Sequence, residues 1–169
     1  MQIKAIVYTS ETGNTAKYAK KLGEKTKLKV YSLEQALTAL PDGTEIVYLG
    51  WLMASMVKGY KTAAKKFRIL LVCGVCLGTS GSQLEEVRKM NAIDEKVPLF
   101  TLQGGFDMQK LHGMNKFMMK IMRRILKNQI EKKPEKTPDD EKIVWMLDKG
   151  GSVVCEEYLE PVIKQIECI

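Results

Sequence analysis

Ser10, Glu11, Thr12, Gly13, Asn14 and Thr15 follow a short apolar run, residues 3–8, and lead into a stretch of helical periodicity, residues 14–25. A strand, then Ser-x-Thr-Gly-x-Thr, then a helix is a coherent way to hold a phosphate monoester. The hydroxyls of Ser10, Thr12 and Thr15 can donate to phosphate oxygens, and Gly13 lets the backbone approach closely. The unpaired amides of the helix's first turn point the same way, with the positive end of the helix dipole behind them. Glu11 would repel a dianion and is expected to face solvent. No lysine follows the glycine, so the triphosphate loop Gly-x4-Gly-Lys-Ser/Thr is absent, as is the dinucleotide pattern Gly-x-Gly-x-x-Gly. Ser, Thr, Asn and Gly also populate ordinary capped turns. The position of the segment, after the first strand of an alternating pattern, is what favours a phosphate site.

The other reactive side chains are sparse. Cys73 and Cys76 have dithiol spacing, but Cys155 and Cys168 make no second close pair, so zinc is not expected. Cys76 would meet oxidants if a redox cofactor lay beside it. His112, the only histidine, is either a proton donor near the site or a surface residue. Trp145 and Tyr158 are expected to pack on helices.

The elements that must position these groups alternate. Strands are predicted over residues 3–8, 28–31, 45–49, 69–73 and 98–102, and helices over 14–25, 33–40, 60–67 and 83–91, with Ser32 as a cap and Pro41-Asp42-Gly43 as a turn. The run 69–73 is the most apolar and is expected at the centre of the sheet. The pattern predicts an α/β fold: a three-layer, doubly wound, five-stranded parallel sheet of order 2-1-3-4-5. Ligands then bind beyond the carboxyl ends of the strands, at residues 9–15, 50–59, 74–82 and 103–107. A helical insertion, about 107–150, follows the fifth strand. It contains a Met-rich helix over 111–130, a charged linker over 131–141 and a helix from Pro138 or Asp139 to Lys149, stopped by Gly150-Gly151. A last helix, 156–168, closes a single domain spanning 1–169.

The chain has 169 residues, 45% of them hydrophobic, and a formal net charge of +7. Between Asp107 and Lys136 nine basic residues face three acidic ones, which leaves six of the seven excess charges in one stretch. On a helical wheel Lys116, Lys120, Arg123, Arg124 and Lys127 cluster, opposite Met114, Phe117, Met118, Ile121, Met122, Ile125 and Leu126. Such a helix either packs on its own core or meets a partner or an anionic membrane through 111–130. Aromatic residues are not interleaved with the basic run beyond Phe117, so no nucleic-acid partner is expected. No apolar run reaches membrane-spanning length, no secretory signal is visible, and the expected location is cytoplasmic or peripheral to the inner face of the membrane. A phospho-receiver function is excluded: Tyr48-Leu49-Gly50-Trp51 stands where the aspartate would be, and no acidic pair follows the first strand.

The loop within residues 6–15, Val-Tyr-Thr-Ser-Glu-Thr-Gly-Asn-Thr, resembles the FMN-phosphate loop of the flavodoxins, and the order of elements is similar outside 107–150. That resemblance implies FMN as the cofactor. It places the flavin ring between two segments, Trp51, Leu52 and Met53 after the third strand and Gly74, Val75, Cys76, Leu77 and Gly78 after the fourth. It implies an FMN-dependent oxidoreductase or an electron carrier, with a small molecule or a protein as redox partner. Two departures stand out: the second segment lacks a stacking aromatic, and flavodoxin carriers are acidic. Gly104-Gly105-Phe106-Asp107 with the basic amphipathic segment resembles the insertion of quinone-linked protoporphyrinogen dehydrogenases, which implies a quinone or porphyrinogen substrate. A carrier that docks to protein partners, and a binding module with no flavin, stay open as alternatives.

Overall fold

The computed structural model describes residues 2–106 and 113–169; Asp107 and His112 lie outside them, and with them the expectation that His112 serves as a proton donor. Five parallel strands form the sheet: β1 (Ala5–Thr9), β2 (Lys29–Ser32), β3 (Glu45–Met53), β5 (Arg68–Cys76) and β6 (Leu99–Gln103). They are ordered β2-β1-β3-β5-β6, and a two-residue strand β4 (Met56–Val57) pairs antiparallel with the end of β3. Counting parallel strands alone, the order is the expected 2-1-3-4-5. Helix α1 (Asn14–Thr26) and the closing helix α7 (Glu160–Glu167) cover one face through Tyr18, Leu22 and Val162. Helices α2 (Leu33–Ala39), α3 (Tyr60–Lys66) and α4 (Leu84–Asn91) cover the other through Ala36, Ala63 and Val87. The architecture is α/β, consistent with double winding.

The central strands are apolar almost throughout because both faces are covered. Ile46 and Val72 face one layer while Val47, Leu49 and Cys73 face the other. The alternation slips once: Ile46 pairs with Ile69 but Val47 pairs with Leu71, so Leu70 is a bulge residue, and both Leu70 and Leu71 pack on the α1 side.

Both β3 and β5 run further than expected. Gly50 and Gly74 read as turn signals, yet they are directly paired inside the sheet. Their role is close packing. A Cβ on Gly50 would come within 2.7 Å of the Lys58 carbonyl oxygen, and one on Gly74 within 2.9 Å of Leu52 Cδ2. The backbone therefore stays extended through Trp51–Met53 and through Val75–Cys76, residues that the sequence assigned to loops.

Helix α2 begins as expected, with a capping box between Ser32 and Gln35. In the insertion, α5 (Gly113–Glu131) and α6 (Pro138–Lys149) are joined by a short exposed link, so α6 occupies part of the expected linker. Met119 of α5 and Leu147 of α6 pack with Met53 and Leu77 of the main body. Lys142 Nζ reaches the side-chain oxygen of Gln103 at 3.4 Å. A two-stranded antiparallel pair, β7 (Gly105–Phe106) with β8 (Gly151–Ser152), returns the chain to the sheet edge. Trp145 is 55% exposed and leans over Gly151 rather than into a helix interface, while Tyr158 packs as expected. Among the described residues no helix is long and apolar enough to cross a membrane.

The start of α6 is held electrostatically. Asp140 accepts from Lys133 Nζ at 2.7 Å and from the Thr137 amide at 3.0 Å, closing a capping box. Lys133, then the Thr137 amide, holds its carboxyl at about 2, well below the usual carboxylate range. A depressed carboxylate contributes its stabilisation above its ordinary pKa and loses it as pH falls toward the folded value. Amide protection factors in α6, taken relative to intrinsic exchange at each pH, should therefore be high at pH 5 and fall between about pH 4 and pH 2. The substitution Asp140→Asn should raise exchange at neutral pH and flatten that acid response.

Candidate functional site

The loop after β1 turns through Gly13, whose φ of +93° a side chain would strain, and α1 starts at the next residue. No side chain caps α1. Its first-turn amides are thus not taken up by a capping hydroxyl or carboxylate, and they open toward the loop. Asn14 and Thr15 are buried, at 6% and 1% exposure. Asn14 Nδ2 donates to Thr12 Oγ1 at 3.3 Å, and the Gly13 amide donates to Ser10 Oγ at 3.2 Å. An accepting hydroxyl keeps its own proton to give, so Ser10 can still donate. Glu11 is half-buried and borders the cavity described below, rather than turning wholly to solvent as expected.

The base of this loop is fixed by Tyr48, fully buried on β3. Its Oη lies 2.8 Å from Thr9 Oγ1 and donates to the Lys58 carbonyl at 2.8 Å. Burial pushes the phenol up to about 12, so it remains a proton donor at neutral pH. One residue thus ties the end of β1 to the segment that follows β4.

The wall opposite is a hairpin. Leu52 pairs with Val57 and Met53 with Met56, which leaves Ala54 and Ser55 as a two-residue turn with φ of +49° and +61°. Turns of this kind prefer Asn and Gly, and left-handed backbone at other residues carries strain. Asn91, 3% exposed at the end of α4, holds the turn. Its Nδ2 donates to the Ser55 carbonyl at 2.8 Å and to the Val87 carbonyl at 2.7 Å, and its Oδ1 accepts from the Val57 amide at 2.9 Å. Trp51 stands at the base of this hairpin, with Lys58 Nζ 5.6 Å from its ring centroid.

A third wall is the end of β5 and the turn after it. Cys76 Sγ donates to the Gly78 carbonyl at 3.4 Å, and burial pushes the thiol up to about 11. Cys73 belongs to the core on the α1 side, and its thiol is raised by burial. Residues three apart on a strand point to opposite faces, so the two cysteines do not form a dithiol. Gln103, 2% exposed at the end of β6, is the polar hub. Its amide donates to Ser80 Oγ at 2.9 Å, and its carbonyl accepts from Tyr18 Oη at 2.5 Å.

These walls enclose a cavity of about 270 Å³ at the carboxyl ends of β1, β3 and β5. Glu11, Thr12, Asn14, Thr15, Trp51, Leu52, Met53, Val75, Cys76, Leu77 and Gly78 all line it. Ser10 and Gly13 face a second hollow on the α2 side of the loop, and Gly74 lies behind Leu52. No family model matches the chain, and no curated protein does. Ala54 and Ser55, within the expected 50–59 segment, also line it, and residues outside every expected segment complete the wall: Gln83 and Glu86 beside the hairpin, and Met119, Met122, Leu126 and Ile143 from the insertion. Periodicity put Met122 and Leu126 on the apolar side of α5, but nothing local marked which of its methionines turn inward.

Replacing Asn91 by Ala leaves buried backbone groups without partners and should cost about 2–4 kcal/mol in urea denaturation. The loss should show first as faster amide exchange at Val57. Glycines at Ala54 and Ser55 should recover about 1 kcal/mol of it by relieving the left-handed strain.

Proposed function

We propose that this chain is a flavodoxin-like FMN protein and that the cavity above the sheet is its flavin site. The observation that carries the reading is the single cavity joining the uncapped start of α1 to Trp51 on one side and the 75–78 turn on the other. The donor set suits a phosphate monoester: first-turn amides, the hydroxyls of Thr12 and Thr15, and no lysine that a triphosphate would need. The ring region is apolar, lined by Trp51, Leu52, Val75 and Leu77, as a flat aromatic ligand requires. FMN, when bound, supplies the electron-transfer chemistry, and the protein supplies position and electrostatics. Cys76, held protonated by burial, contributes a neutral wall rather than a charge beside the ring.

The chain acts in this reading as an oxidoreductase on a quinone or porphyrinogen. What supports it is the apolar wall that Met119, Met122, Leu126 and Ile143 add to the same cavity, on the side where the insertion meets the 75–78 segment. The second reading is an electron carrier that docks to proteins, supported by the concentration of positive charge in residues 107–136. Turnover of a soluble quinone by the purified protein, without any protein partner, separates the two. A carrier should instead show partner reduction rates that fall steeply with salt.

Titration with FMN should give a bound-flavin spectrum and quench Trp51 fluorescence; a preparation that stays colourless contradicts the reading. Thr12→Val and Thr15→Val should each weaken FMN by about tenfold, the worth of a hydrogen bond to a charged group, with little change in riboflavin binding. Glu11→Gln should tighten FMN by roughly three- to tenfold at low salt, since it removes a negative charge near the phosphate.

A further inference from the structure

Helix α5 has two apolar faces, and the fold uses only one. Met119 and Ile130 are buried at 9% and 5% exposure, and Met122 and Leu126 pack beside them toward the cavity. On the far side Met114, Phe117, Ile121 and Ile125 are 75%, 60%, 45% and 44% exposed. At 100° per residue these four fall within about 80° and run for roughly 16 Å along the axis, opposite the packed stripe. An amphipathic helix that had only to cover its own core would carry polar residues there.

The charges beside the ridge are divided too. Arg123 and Lys127, on the inward flank, both pair with Asp148 of α6, at 2.9 and 2.8 Å. Lys120 and Arg124 are exposed along the ridge itself, and among the described residues no carboxylate pairs with either. The link after α5 adds Lys132 and Lys136, both exposed.

We infer that the outer face of α5 is a docking surface for an anionic lipid bilayer, with Phe117 and Ile121 entering the interface and Lys120 and Arg124 meeting the headgroups. The ridge is convex and belongs to one helix, a shape that suits penetration of a fluid phase more than mating with a preformed cleft. A second copy fits poorly, because pairing two such ridges brings Lys120 and Arg124 against their own likes. The helix lies on the surface and does not cross, in keeping with the lack of any spanning helix among the described residues. The inference does not depend on the flavin reading.

Vesicle co-sedimentation tests it, using phosphatidylcholine alone and phosphatidylcholine mixed with phosphatidylglycerol. The full chain should sediment with the mixed vesicles only, and less so as salt rises. Phe117→Ser with Ile121→Ser should bring binding to background, and Lys120→Gln with Arg124→Gln should lower it by about tenfold or more. These side chains are exposed, so the melting curve and FMN titration of each variant should match the parent; the FMN titration also separates a failed flavin site from a failed membrane face. If the Phe117/Ile121 variant melts early, Ile125→Ser alone provides the same readout. Absence of binding to mixed vesicles, equal binding to neutral ones, or binding that survives loss of the ridge would overturn the inference. So would a dimer in size-exclusion chromatography that disappears with Phe117 and Ile121, since the ridge would then be an interface between copies.

Discussion

A parallel sheet buried on both faces sends the carboxyl ends of all its strands to one edge, and the candidate site of this chain hangs on that edge. Its strands cannot be joined by tight hairpins, so helices must carry the chain back across each face. Each helix then starts just beyond a strand end, where its free amides gather. In α1 those amides are left without a side-chain cap, whereas α2 has its capping box. Helices α3 and α4 also start without a side-chain cap; α1 differs in that Asn14 and Thr15 at its start line the cavity.

The edge is held by polar groups that are themselves buried. Tyr48 ties the end of β1 to the segment after β4, Asn91 fixes the strained hairpin, and Gln103 joins β6 to α1 and to Lys142 of the insertion. Buried hydrogen bonds of this kind contribute only about 1 kcal/mol each, yet leaving one partner unmade costs about 1–3 kcal/mol. That asymmetry makes them strong determinants of geometry. They locate three loops relative to one another without filling the cavity between them.

Much of this was readable from the chain because it is written locally. Ser32 followed three residues later by Gln35 marks a cap, Thr137-Pro138 marks the start of α6, and the run around Val72 marks a central strand. The strand–turn–helix at residues 9–15 was legible for the same reason: Gly13 and its polar neighbours act through backbone conformation close in sequence. Gly50 and Gly74 misled because a glycine needed for close packing looks the same as one needed for a turn; only the tertiary neighbours, Lys58 and Leu52, tell them apart. The Ala54-Ser55 turn was invisible because neither residue favours its own conformation. Asn91, 36 residues away, imposes it. Periodicity found the apolar side of α5 but could not reveal that the fold would divide that side between cavity and solvent.

That division couples two properties of the molecule. Met119 and Phe117 are two residues apart on a rigid helix, one turned to the cavity and one to solvent. Anything that seats on the outer ridge bears on the inner wall, because a helix moves as a body and its inner packing contains only a handful of side chains. Methionine is suited to that position: it is unbranched, and its thioether adapts to a shifted neighbour at little cost. The ion pairs from Arg123 and Lys127 to Asp148 link α5 to α6, and α6 reaches Gln103 through Lys142. Under the proposed reading, an apolar acceptor dissolved in the bilayer would approach the flavin past the one element that faces both, so the insertion would set access to the site as well as its location.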